Sequence, residues 1–268
     1  MTLPKIIFFD AVGTLFGVRS TVGEIYAQFA AQAGLKVDAQ PLNTAFIQSF
    51  RTAPRAAFSQ VTSRVTPQFA LQDLPHLEYD WWRTVAQRSF ERVGVLEQLP
   101  DFDAFFRPLF NHFETADPWI LYPETLNVLE ILKSLEIELA IISNFDSRLY
   151  AVLEALGLAS WFKSVTISTQ VGAAKPDAGI FEAAIAKHPY LPTQGWHVGD
   201  SWAEDYEGAT AAGLQGIWLN RNGAELSATS LNLTSPNLTN PNLTNPNAKE
   251  TEVLEISDLM ALQKILQP

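Results

Sequence analysis

The chain has 268 residues, 47% of them hydrophobic, and a formal net charge of -11, enough apolar content for one good core and a smaller second one. The absence of cysteine rules out disulfides, thiol catalysis and thiolate metal sites, and the acidic balance argues against a nucleic-acid backbone as partner. No apolar run is long enough to span a bilayer and no secretion signal precedes the first strand-like segment, so a cytoplasmic protein without a membrane partner is expected.

Ile6 to Phe9 reads as a short buried strand that delivers Asp10 at its end, and Gly13-Thr14 can then turn the chain sharply. From about Phe16 to Trp119 the pattern is helical: Val22, Ile25, Tyr26, Phe29 and Ala33 recur at helical spacing. Similar stretches run through Leu42 to Arg51, Tyr79 to Val93 and Phe102 to Phe113, with few strand-like runs between them. From Pro123 onward helix and strand alternate: Glu124 to Leu135, Leu139 to Ile142, Arg148 to Leu156, Ser164 to Ser168, Ala178 to Ala186 and Gly195 to Val198. That alternation predicts a parallel sheet with helices on both faces. Asn232 to Pro236, Asn237 to Pro241 and Asn242 to Pro246 then repeat with a five-residue period. A proline in every unit forbids a regular helix, and the polar composition predicts a flexible surface insertion over 222–250. A last strand (Val253 to Ile256) and helix (Asp258 to Leu266) are expected after it.

Four stations of polar residues stand out. Asp10 follows the first strand, Ser143 and Asn144 follow Leu139 to Ile142, Lys175 precedes Pro176, and Trp196 to Val198 runs into Gly199, Asp200 and, five residues on, Asp205. A carboxylate at the carboxyl end of a parallel strand sits where open α/β sheets place their chemistry. Each residue also has a structural reading. Asp10 can cap a turn, Ser143 and Asn144 can cap the helix beginning near Ser147, Lys175 can be a solvated surface lysine, and Asp200 and Asp205 can belong to an ordinary acidic loop.

Taken together and in this order, the stations resemble the haloacid dehalogenase-like hydrolase superfamily, over nearly the whole span from Lys5 to about Asn220. Ile142 to Leu149, the Trp81-Trp82 pair and the run from Gly199 to Tyr206 resemble its Reg-2-like branch. The resemblance implies a doubly wound, Rossmann-like α/β core (residues 1–16 and 120–268) with a helical cap (17–119) inserted after the first strand. It implies a nucleophile at Asp10, a charge-neutralising Lys175, and Ser143 and Asn144 holding the transferring group. It further implies an Mg²⁺ site made by Asp10, the backbone carbonyl of Val12, Asp200 and Asp205, an oxygen donor set that suits a hard cation. The expected partner is a small phosphorylated substrate, contacted by Thr14 and, from the cap, Arg55.

One position departs from the family. Phosphatases of this type carry a second aspartate two residues after the nucleophile, where this chain has Val12. Proton transfer of that kind contributes about 10²- to 10⁴-fold, so esters with poor leaving groups should suffer most. Asp10 to Phe16 is close to the first motif of 2-haloacid dehalogenases, whose halide leaves without a proton, but Gly199-Asp200 has no purpose in that reaction. A phosphonatase would need a cap lysine, and Lys36 is expected at a solvated helix end. A decayed module that binds phosphate or a partner without turnover is the non-enzymatic reading. In the cap, Arg51, Arg55 and Arg64 form a basic cluster and Trp81 and Trp82 can stack a ring, though solvated arginines and packed aromatics explain both. His76, His112, His188 and His197 are scattered, and His197 is expected as a core residue.

Overall fold

A computed structural model describes residues 3–58, 67–221 and 253–266. The Asn-Leu-Thr repeat and Arg64 lie outside the described residues. Six strands form one sheet: β1 (Ile6–Phe9), β4 (Glu138–Ser143), β5 (Ser164–Ile167), β6 (Gly195–Gly199), β7 (Gln215–Leu219) and β8 (Glu255–Ile256), in the order β5-β4-β1-β6-β7-β8. Every neighbouring pair is parallel. From β1 the chain first builds outward through β4 and β5, then returns to the other side for β6, β7 and β8. The reversal falls at β1, and open parallel sheets bind ligands at the carboxyl ends of strands beside such a reversal.

Strands covered on both faces must be apolar throughout, and β1 is. Ile7 and Phe9 face one core with Leu129, Leu132, Leu149 and Val152, while Ile6 and Phe8 face another with Ile180, Phe181 and Ala209. The alternation of adjacent side chains across the pleat produces this division. The first core is closed by helices Thr125–Ser134, Arg148–Ala155 and Ala261–Leu266, the second by Ala178–Ile185.

Between β1 and β4 lie a two-stranded antiparallel ribbon, β2 (Phe16–Val18) with β3 (Trp119–Leu121), and, between its two strands among the described residues, four α-helices. These are α1 (Val22–Gln32), α2 (Ala39–Thr52), α3 (Pro67–Arg92) and α4 (Phe102–His112). Thr21 and Glu24 form a capping box at the start of α1, and Asp38 and Asp101 cap α2 and α4, satisfying amides that helix starts leave unpaired. Gly23 lets α1 and α2 approach closely, since a Cβ there would stand 2.4 Å from the Ala39 carbonyl oxygen. The four helices bury a separate core rich in rings, among them Tyr26, Phe46, Phe90, Phe102 and Phe106. The ribbon, too short to announce itself by alternation, carries the chain out of the sheet and back.

Candidate active site

Asp10 follows β1 directly, and its amide donates to the Val198 carbonyl at 2.9 Å, which fixes it between β4 and β6. The next residues fold back at once. Gly13 takes φ +89, its amide donates to the Phe16 carbonyl at 2.8 Å, and Leu15 donates to Ala11 at 2.8 Å. A Cβ at Gly13 would stand 2.5 Å from an oxygen of Asp200. Glycine therefore lets the loop that carries the Val12 carbonyl close onto Asp200.

Lys175 and Asp205 join Asp10 from distant parts of the chain. The buried Lys175 ammonium donates to Asp10 Oδ1 at 2.8 Å and to Asp205 Oδ1. Asp205 Oδ1 also contacts His197 Nε2 at 2.9 Å, and its Oδ2 accepts from the Ser201 amide at 2.9 Å. Asp205 sits in a π-helical turn, Trp202–Glu207, begun by Ser201. Such turns are rare and recur at functional sites. Gly199 is required beside it, because a Cβ there would overlap the Asp205 carboxyl at 2.1 Å.

Burial pushes the Asp10 carboxyl above its ordinary value, against the pull of Lys175. Burial acts the same way on Asp205, but Lys175 and His197 overcome it and hold that carboxyl low. Burial alone would lower the Lys175 ammonium, yet two carboxylates raise it. Two acids sharing one cation separate in this way. Replacing Lys175 with Met should therefore leave two neighbouring carboxylates buried without their cation, costing about 3–5 kcal/mol. Urea unfolding measures this, and a loss below about 1 kcal/mol would contradict the ion-pair reading.

Asp10, Asp200 and Asp205, all buried, bring one carboxylate oxygen each within 4.8 Å of one another. Oxygen donors alone, gathered out of water around a closed loop, fit a hard divalent cation. The three carboxylates that the sequence reading expected as metal ligands thus lie together.

Other expected residues have different surroundings. Ser143, at the end of β4, is buried on the wall of the cavity over Asp10. Asn144 was expected to hold substrate oxygens, but both its amide hydrogens are engaged, at 3.0 Å to the Lys175 carbonyl and 3.0 Å to Glu204. Its Oδ1 accepts from the Lys175 amide at 2.7 Å, so Asn144 positions the lysine. Thr14 is fully buried and is not among the residues lining the cavity. Arg55 reaches the site edge without lining the cavity; it donates to the Lys175 carbonyl at 2.8 Å and pairs with Glu204 at 3.3 Å. Its side chain is half exposed. Lys36 is exposed and is not among the residues lining the cavity.

Several participants escaped the sequence reading. His197 is buried as expected, but it faces Asp205; that strand residues alternate between faces leaves open which neighbour they meet. Glu204, one residue before Asp205, lines the cavity. Burial raises its carboxyl to about 7 although Lys175 and Arg55 pull it down. Between the unfolded and folded values the folded protein holds more protons, so stability falls as pH rises through that window. In chelator, Tm should fall between about pH 5 and about pH 7.5, and Glu204→Gln should flatten the fall; an unchanged slope would contradict this assignment. The cap is also tied to the core. Glu78 of α3 accepts from the Ser147 amide at 3.0 Å and from Thr169 Oγ1 at 2.6 Å. Trp82 donates to Asp146, whose carboxylate grips Arg148 at 2.9 and 2.7 Å.

A haloacid dehalogenase-like hydrolase family profile matches residues 4–213. Haloacid dehalogenase-like hydrolase domain-containing protein 3 of Xenopus laevis is 32% identical over 81% of this chain and 84% of its own length. Among solved structures, the magnesium-bound putative HAD-hydrolase YfnB of Bacillus subtilis superposes with a TM-score of 0.67 at 16% identity, over 99% of both chains. The L-2-haloacid dehalogenase of Xanthobacter autotrophicus with chloropropionic acid covalently bound gives 0.63 at 18% identity, over 98% of both. At these identities the structures establish the fold and not the reaction.

Proposed function

The chain belongs to the haloacid dehalogenase-like hydrolases, in the branch of domain-containing protein 3, and within that family we propose that it is a Mg²⁺-dependent phosphatase of small phosphate monoesters acting through Asp10. The observation that carries the reading is the buried carboxylate cluster of Asp10, Asp200 and Asp205 beside Lys175. A dehalogenation that expels halide has no use for Asp200 so close to the nucleophile.

Asp10 Oδ2 is the carboxylate oxygen left to attack when Oδ1 holds Lys175, and it forms a bond to phosphorus as the ester oxygen leaves with the bonding electrons. Lys175 keeps the carboxylate in place and offsets charge on the phosphoryl oxygens. The Ser143 hydroxyl donates to one of those oxygens. Water then attacks phosphorus and the Asp10 carboxylate is released, its proton passing to the departing phosphate. Asp10, Asp200, Asp205 and the Val12 carbonyl would hold the cation, which when bound supplies positive charge that keeps Asp10 ionised and neutralises the transferring group. Val12 offers no proton at any stage.

The test is release of phosphate from p-nitrophenyl phosphate with Mg²⁺, with chelator, and beside 2-chloropropionate. Turnover of the ester that chelator abolishes is expected. Chloride release without metal, and no phosphate release, would replace the phosphatase with a dehalogenase.

A further inference from the structure

A cavity lies over Asp10, lined from the sheet by Asp10, Ser143 and Lys175 and from the helical insertion by a wall of rings. Its two ends differ in chemistry. The polar end holds Asp10, Ser143, Lys175, Glu204 and Asp205; the cap end is walled by Tyr26, Phe46, Phe50, Trp82, Phe106 and Phe110. Three of these rings form a near-parallel series: Phe46 and Phe50 stack at 5.9 Å and 26°, Phe50 and Trp82 at 5.7 Å and 25°.

The lining cations are both occupied. Lys175 holds Asp10 and Asp205. Arg148 is gripped by Asp146 at 2.7 Å, donates to the Phe110 carbonyl at 3.1 Å, and lies 3.9 Å over the Phe110 ring. The Asn144 amide is likewise spent on Lys175 and Glu204. A leaving group bearing a second negative charge would meet no unpaired lining cation, and one rich in hydroxyls would lose water against ring faces along most of this wall. A ring would replace water with ring faces. Val12 lines the same cavity, so the position two residues after Asp10 offers the departing oxygen methyl groups and no proton.

We propose that the substrate is a small aromatic phosphate monoester whose leaving group is a phenol, an inference that rests on the phosphatase reading above. A phenol ionises near about 10, against about 15.7 for water, with ordinary alcohols close to water. Asp10 forms the new oxygen–phosphorus bond, the aryl oxygen departs as phenolate with the bonding pair and takes its proton from water in the mouth, and a second water releases phosphate from Asp10. One ester and one water give one phenol and one phosphate.

Three esters separate the parts of this claim: phenyl phosphate, benzyl phosphate and glucose 6-phosphate, assayed with Mg²⁺ for kcat and KM. The wall predicts KM values for phenyl and benzyl phosphate alike, and both about tenfold or more below that of glucose 6-phosphate. The missing proton donor predicts kcat for benzyl phosphate about 100-fold or more below phenyl phosphate. Calorimetry on Asp10→Asn without metal should in addition show 2-naphthol binding, displaced by phenyl phosphate. Glucose 6-phosphate with the lowest KM, or no binding of 2-naphthol, would overturn the aromatic assignment and leave a phosphatase standing. Failure to hydrolyse any of the three esters would overturn the phosphatase itself.

Discussion

Asp10→Asn should lower kcat/KM for p-nitrophenyl phosphate by roughly 10⁴-fold or more, the scale on which removal of a nucleophile acts in covalent catalysis. The substitution keeps the size of the side chain, and Asn can still accept from Lys175 at the position of Oδ1. It removes the charge that attacks phosphorus and one of the three carboxylates at the expected cation site. Lys175 retains Asp205, so its ammonium stays paired in the variant. Folding should therefore survive, and a melting curve within a few degrees of wild type is the control that makes the kinetic loss interpretable. Turnover within tenfold of wild type would remove Asp10 from the mechanism.

Val12→Asp should act in the opposite direction, and selectively. Val12 is half-buried and lies on the cavity wall with Asp10. A carboxyl there would stand among Asp10 and Asp200, and like charges raise the pKa of a newcomer. A raised carboxyl near neutral pH is the form that can protonate a departing alkoxide. The gain on benzyl phosphate should approach about 10²-fold, the lower part of the usual range for general acid catalysis. On p-nitrophenyl phosphate, whose phenolate leaves unaided, the gain in kcat/KM, which reads only the steps up to departure of the leaving group, should stay small. The crowding of charge should cost about 1–3 kcal/mol of stability, readable in urea. An equal gain on both esters, or none on benzyl phosphate, would contradict the role assigned to Val12.

Singly, Asp10, Lys175, Asp200 and Asp205 read equally as a turn cap, a surface lysine and an acidic loop; they were legible only together, through the resemblance of their order to the family, and in an open parallel sheet strand ends converge. That convergence joins Asp10 to Lys175 across 165 residues. The alternation of helix and strand after Pro123 likewise carried the sheet. What the sequence withheld was the allocation of hydrogen bonds. Asn144 has a type suited to holding phosphate, and only the fold reveals that the Lys175 backbone and Glu204 take its donors. Glu204 was hidden because the π-helical turn shifts residues off the spacing of an α-helix. Trp82 and Glu78 were ambiguous on a helix whose apolar pattern does not distinguish its own core from a neighbouring domain. The ribbon of Phe16–Val18 and Trp119–Leu121 has three residues per strand, too few for a period of two to stand out.

The most direct test is to trap the covalent enzyme. With no carboxylate two residues after Asp10 to activate water, release of phosphate should be the slow step, and the phosphorylated enzyme should accumulate during turnover of p-nitrophenyl phosphate. Acid quenching followed by intact-mass measurement should show one added phosphoryl group, borohydride reduction and peptide mapping should place it on Asp10, and Asp10→Asn should show none. Steady turnover with no adduct, or with the adduct on another residue, would contradict an aspartyl-phosphate mechanism at Asp10.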